Sequence, residues 1–151
     1  CMLVALYRRR TLLGALIRWQ TRGRVDHAAI WVRDQVIEAT HPRVRIRPLR
    51  PDDAEAETYE IYGPLDESAV ERFLMAQVDK GYDHSSVLRF ISRRQESRKA
   101  KGKWFCSELV FAAIREGGVI LFPHTQPWEV SPQLLLRSPL LHQIPNPRKS
   151  A

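Results

Sequence analysis

RVDHAAIWVRDQVIEAT, residues 24–40, carries two runs of Ala, Ile, Val and Trp on either side of a polar stretch at Arg33-Asp34-Gln35. β-Branched and aromatic residues bounded by a polar turn specify a β-hairpin, because these side chains pack well on a pleated, half-buried surface. A connection of two residues, Arg33-Asp34, pairs Val32 with Gln35, Ala29 with Glu38 and His27 with Thr40. His27 and Glu38 then share one face as diagonal neighbours, about 7 Å apart between backbones and bridgeable by long side chains. A three-residue turn would send them to opposite faces, since strand side chains alternate with period two. Glu38, flanked by Val36, Ile37 and Ala39, is an unusual residue inside a strand. It either meets water on an open side of the sheet or orients the histidine.

Outward from the hairpin, MLVALYR (2–8) is apolar and β-prone, and Thr11 can cap a helix bearing Leu12, Leu13, Leu16 and Ile17. RVRIRPLRP (43–51) alternates Val44 and Ile46 with Arg43, Arg45 and Arg47, which predicts an edge strand with a basic outer face, stopped by Pro48 and Pro51. The acidic DDAEAE leads into a strand at TYEIYG (58–63). Asp66 then caps a helix with Val70, Phe73, Leu74 and Val78 in helical register, ended by Lys80-Gly81. YDHSSVLRFI (82–91) predicts a short helix or turn, and SRRQESRKAKGK (92–103), without apolar period, a mobile basic loop. Past Gly117-Gly118, VILFPHTQPWEVSPQLLLRSPLL predicts a short apolar strand, a Pro-broken loop and a short helix capped by Ser131 with Pro132 in its first position. The expected architecture is α+β with a small antiparallel sheet, one domain over 1–144 and a disordered tail at 145–151.

A chain of 151 residues with 44% hydrophobic content is one domain's worth of polypeptide with a real core. Its two cysteines make no disulfide framework: Cys106 reads as a free thiol, and Cys1, before Met2, is set aside. No signal-peptide pattern stands near the N-terminus and no apolar run approaches the ~18 residues of a membrane span. These features predict a soluble protein, cytoplasmic or carried by a phage particle. A net charge of +7 favours anionic surroundings such as a wall polymer or a membrane surface. Nucleic acid is disfavoured as a partner, because there is no recognition motif and the basic residues are scattered. Without CxxC or HxxxH spacing or a Gly-rich phosphate loop, no metal and no cofactor is expected.

KWFCSELVFAAI (103–114) places Leu109, Val110, Ala113 and Ile114 three, four, seven and eight positions beyond Cys106. The thiol therefore shares the buried stripe of a helix and sits in its first turn. Unpaired N–H groups and the partial positive charge of a helix start stabilise a thiolate and lower its pKa from ~8.5. Glu108 is expected on the opposite side, and the Cys106 N–H can donate to an oxyanion. The competing reading is a small apolar packing residue in a non-catalytic basic binding module. His27 as base and Glu38 as its orienting group would complete a thiol-hydrolase triad. His41 precedes Pro42, while His84, His124 and His142 stand in loop or tail contexts without a matching acid.

HAAIWVRDQVIEA resembles the histidine-bearing hairpin of NlpC/p60 cysteine peptidases, and WFCSELV resembles the nucleophile segment of the circularly permuted branch of that superfamily. The chain order His27, Glu38, Cys106 matches that branch. LIRWQTRGRVDHAAI, KGYD and VSPQLLLRSPLL add shorter similarities, so that together the segments cover most of the chain. The resemblance implies a papain-like fold with the cysteine helix packed on the sheet. It implies Cys106 as nucleophile, His27 as base and then acid, and Glu38 as orienting residue. The second oxyanion donor would be Tyr7 or Tyr82. The implied activity is a cysteine peptidase or amidase acting on peptide bonds such as those of cell-wall stem peptides. A lipid ester or amide hydrolase, or an acyltransferase, on the same fold is the alternative.

Overall fold

The computed structural model describes residues 2–82 and 103–149. The expected short helix and most of the basic loop fall at 83–102, outside the described residues. Strand β1 (Met2–Tyr7) leads to helix α1 (Leu12–Thr21), then to β2 (His27–Val32), β3 (Gln35–Ala39) and β4 (Val44–Pro48). A 3-10 turn at Pro51–Glu55 precedes β5 (Glu57–Ile61) and helix α2 (Glu67–Gln77). The remaining elements are β6 (Gly81–Tyr82), β7 (Lys103–Trp104), α3 (Cys106–Glu116), a 3-10 turn at Pro127–Glu129, α4 (Pro132–Leu135) and β8 (Leu141–Ile144). Six strands form one sheet in the order β4-β3-β2-β1-β5-β8, every neighbour antiparallel, and β6 and β7 pair in parallel. The fold is α+β.

The hairpin has the two-residue connection: Val32 pairs with Gln35, Trp31 with Val36 and Ile30 with Ile37. Arg33 closes the turn in the left-handed region at φ 54°. Alternation then sorts the strands into two faces. Val4, Leu6, Ala28, Ile30, Ile37 and Ala39 face α2 and α3 in the main core. Leu3, Ala5, Ala29, Trp31 and Val36 form a smaller cluster on the reverse face with Ala56. Helix α3 is buried along its whole run from Cys106 to Ile114 and packs on β2, β3 and α2. Gly117 lets α2 come close, for a Cβ there would stand 2.5 Å from Val70 Cγ2 and 2.6 Å from Leu65 Cδ1.

The caps follow their chemistry, with Thr11, Asp66 and Ser131 side chains accepting from the N–H groups of Gly14, Ala69 and Leu134. Elsewhere tertiary context overrides the sequence pattern. Helix α2 stops at Gln77 and Asp79 makes the turn at φ 72°, so Gly81 is released into β6 instead of ending the helix. Residues 119–122 form a loop and not a strand: the outer side of β5 is already taken by β8, and Ser138 Oγ holds the Leu121 carbonyl at 3.1 Å. The segment 145–149 is docked rather than disordered. Asn146 is buried, and its Nδ2 donates to the carbonyls of Asp53, Ala54 and Ala56 at 2.9, 3.2 and 2.7 Å. Helix α1 buries Ile17 but leaves Leu12, Leu13 and Leu16 exposed. Among the described residues no helix is long and apolar enough to cross a membrane.

Candidate active site

His27 opens β2, at the end of the sheet where β1 turns toward α1. Asp26, fully buried just before it, anchors that turn by accepting from the Arg9 backbone N–H at 3.2 and 2.9 Å and from the Arg18 guanidinium. Arg18 Nη1 also donates to the Arg9 carbonyl at 2.8 Å. Fixed at its backbone in this way, Arg9 lays its own guanidinium on the histidine, Nη2 to Nδ1 at 2.7 Å. Because arginine can only donate, Nδ1 is the accepting nitrogen and the ring proton sits on Nε2. That proton is donated to Glu38 Oε2 at 2.8 Å. Burial lowers the His27 pKa from 6.5, the Arg9 charge lowers it further, and the Glu38 contact opposes both. The imidazole is neutral at pH 7.

Glu38 spends its other oxygen on two arginines. Oε1 accepts from Arg45 Nε and Nη2 at 3.0 and 2.8 Å and from Arg47 Nε at 3.0 Å. Burial pushes the carboxyl upward, but the His27 hydrogen bond together with Arg45 and Arg47 more than reverses this and holds it well below the ordinary carboxylate range. The expected basic outer face of β4 is thus a clasp on the carboxylate: Arg45 stands opposite Glu38 in the ladder, and the Arg47 side chain is only 11% exposed. Arg47 extends the chain of ion pairs to Asp53, at 2.9 and 2.8 Å.

Cys106 occupies the first turn of α3 as expected, with none of its surface exposed. Ile17, Tyr82 and Phe105 pack around it. Burial pushes the thiol up to about 11, against the Arg9 charge and hydrogen bonds from the Ala28 and Ser107 backbones. The anticipated lowering by the helix start is outweighed, because the group has lost its water. The sulfur lies against Ala28, the residue next to His27, but the two side chains leave the strand on different sides. Ala28 faces α3, whereas His27 shares its face with Ala29 and Trp31. Among the described residues no hydrogen bond joins ring and sulfur, and the charges of Arg9 and Asp26 bear on both.

Of the two tyrosines expected as oxyanion donors, Tyr7 is committed elsewhere. Its hydroxyl donates to Asp53 at 2.8 Å and accepts from Trp31 Nε1 at 2.9 Å, on the face away from α3. Tyr82 is buried beside Cys106. Glu108 is buried, 1% exposed, and not turned outward. His142 stacks on Tyr62 and bonds the Pro139 carbonyl, and His84 lies outside the described residues. Arg9, Asp26, Arg45 and Arg47 were missed from the sequence. Working the 43–51 strand into antiparallel register with 35–39 would have set Arg45 against Glu38, while nothing local foretells that Arg9 reaches His27.

No family model matches this sequence, and no curated protein matches it significantly. Among solved structures, the chain is similar to a crystal structure of metalloprotein yiiX from Escherichia coli O157:H7, of the group DUF1105. The two share 17% identity over 94% of each chain, with a TM-score of 0.73. At that identity the likeness bears on the fold alone. Among the described residues, no group of three or more His, Cys, Asp and Glu side chains could hold a metal ion.

Proposed function

We propose that this protein is a thiol-dependent hydrolase of amide bonds, with Cys106 as nucleophile, His27 as proton carrier and Glu38 as the residue that fixes the imidazole. The observation that carries this is the 2.8 Å bond from His27 Nε2 to Glu38 at the strand end where Cys106 begins its helix. A papain-like fold in permuted order agrees with the same arrangement, since the cysteine helix follows the histidine hairpin and packs on an antiparallel sheet.

With Nε2–H held by Glu38, Nδ1 is the nitrogen left for a thiol proton. Arg9 covers it in the resting arrangement, and its side chain, 34% exposed, has room to swing off. Because ring and sulfur leave β2 on different sides in this structure, the step also requires the His27 ring and the Cys106 side chain to come together at the strand end. The S–H proton then passes to Nδ1 as sulfur adds to the carbonyl carbon. Backbone N–H groups at the start of α3 stabilise the oxyanion, and Nδ1–H protonates the departing amine as the C–N bond breaks. Water, deprotonated by Nδ1, splits the resulting thioester and restores the thiol.

A peptide or isopeptide substrate, such as a cell-wall stem peptide, suits the basic surface. A second reading, hydrolysis or transfer of a lipid acyl group by the same residues, is favoured by the apolar outward face of α1 beside the thiol. Incubation with peptide, isopeptide and acyl-lipid substrates, followed by mass spectrometry of the intact protein, tests both. An acyl adduct on Cys106, lost together with turnover in a folded Cys106→Ala variant, is expected. Unchanged turnover in that variant rejects the mechanism.

A further inference from the structure

Helix α1 is amphipathic with its faces reversed. Its inner side is Gly14 against the Asp26 carboxylate, Ile17 in the cluster around Cys106, and Arg18 bound to Asp26. Its outer side is Leu12, Leu16 and Trp19, one and two turns apart, with Leu13 adjoining, exposed by 89%, 37%, 73% and 40%. Other large exposed apolar residues, such as Met75 and Ile120, stand on separate elements, whereas these four share ten residues of helix. Exposed Arg8 and Arg10 precede the apolar face and exposed Arg22 follows it. Between residues 8 and 25 there are six arginines and no acidic residue.

We propose that α1 is an interfacial docking helix for anionic phospholipid bilayers. At 10 residues it is roughly 15 Å long, too short to span a bilayer but suited to lying in its surface. Leu12, Leu13, Leu16 and Trp19 enter the headgroup and acyl boundary, and the arginines at both ends meet lipid phosphates. The charge pattern selects this occupant over a second copy of the chain, because face-to-face pairing of two α1 helices would bring two sets of exposed arginines together. Docking would bring the bilayer to the same helix that, through Ile17, covers Cys106. The inference goes beyond the hydrolase reading and does not require it.

The test is flotation of the intact protein with vesicles of phosphatidylcholine, alone or mixed with phosphatidylglycerol, alongside tryptophan emission and sedimentation without lipid. About tenfold or more protein is expected on the anionic vesicles than on the neutral ones, with a loss at high salt. A blue shift should accompany binding and vanish in Trp19→Phe. Leu12→Ser with Trp19→Ser should abolish flotation and leave the unfolding midpoint in place, since these side chains are 89% and 73% exposed. Cys106→Ala should float like the native protein, which separates this inference from the catalytic one. Flotation equal on both vesicle types, or undiminished in the double variant, overturns the proposal. So does self-association removed by the double variant in a protein that binds no vesicle.

Discussion

Arg9 Nη2 lies 2.7 Å from His27 Nδ1, on the one ring nitrogen that Glu38 leaves open. A guanidinium there disfavours the imidazolium by charge and blocks the lone pair that a thiol proton would need. In Arg9→Gln the His27 pKa should rise, followed by NMR titration of the ring carbons. A ring titrating at the native position would show that its neutrality owes nothing to Arg9.

Glu38 is 3% exposed and joins His27 to two arginines, so Glu38→Gln removes one charge from a buried network and strands the others. Breaking a buried pair on one side costs about 3–5 kcal/mol, and urea unfolding should register a loss of that order. His27 also loses the partner that raises its pKa, and its titration should move further down. A variant as stable as the native protein would mean that Arg45 and Arg47 compensate the carboxylate only weakly.

The hairpin was legible from its two apolar runs, and its register only on the condition of a two-residue turn, which the Val32–Gln35 pairing meets and which sets His27 beside Glu38. The start of α3 at Cys106 was legible from three-and-four spacing. Burial of Cys106 and the resulting upward shift were not, since a helix-start argument sees the local dipole but not Ile17 and Tyr82 closing over the sulfur from distant parts of the chain. The outward face of α1 was hidden for a related reason. Its apolar period is ordinary, and only the ion pair of Arg18 with Asp26 turns the polar side inward.

Asn146 ties the C-terminal segment to the turn that carries Asp53, donating to three carbonyls from a buried site. Asn146→Ala leaves those carbonyls short of a donor and should cost about 1–3 kcal/mol in chemical unfolding. Because Asp53 receives both Tyr7 and Arg47, loosening of its turn should also be visible as faster amide exchange near Asp53. A midpoint unchanged by the substitution would return the segment to the status of a loose tail.

Stability should pass through a plateau bounded by groups already named. In the unfolded chain His27 binds its proton near pH 6.5, whereas its folded pKa is lowered, so below about 6.5 the unfolded state holds more protons and stability falls with falling pH. Glu38 and Asp53, both depressed on folding, act in the same direction from about pH 4 downward. Cys106 acts with opposite sign: the folded thiol keeps its proton to about 11, so stability is lost as pH rises above the unfolded value. Its full contribution is about 3 kcal/mol for a shift of this size. Tyr7 and Tyr59, whose pKa values are also raised, add a decline of their own above about pH 10. Cys106→Ala isolates the thiol, because every other group is shared with the native protein. Between about pH 8.5 and 10.5 the native unfolding free energy should drop relative to the variant by a large part of that amount. Parallel curves over this interval would mean that the sulfur ionises as easily folded as unfolded, which a thiol sealed by Ile17, Tyr82 and Phe105 would not do.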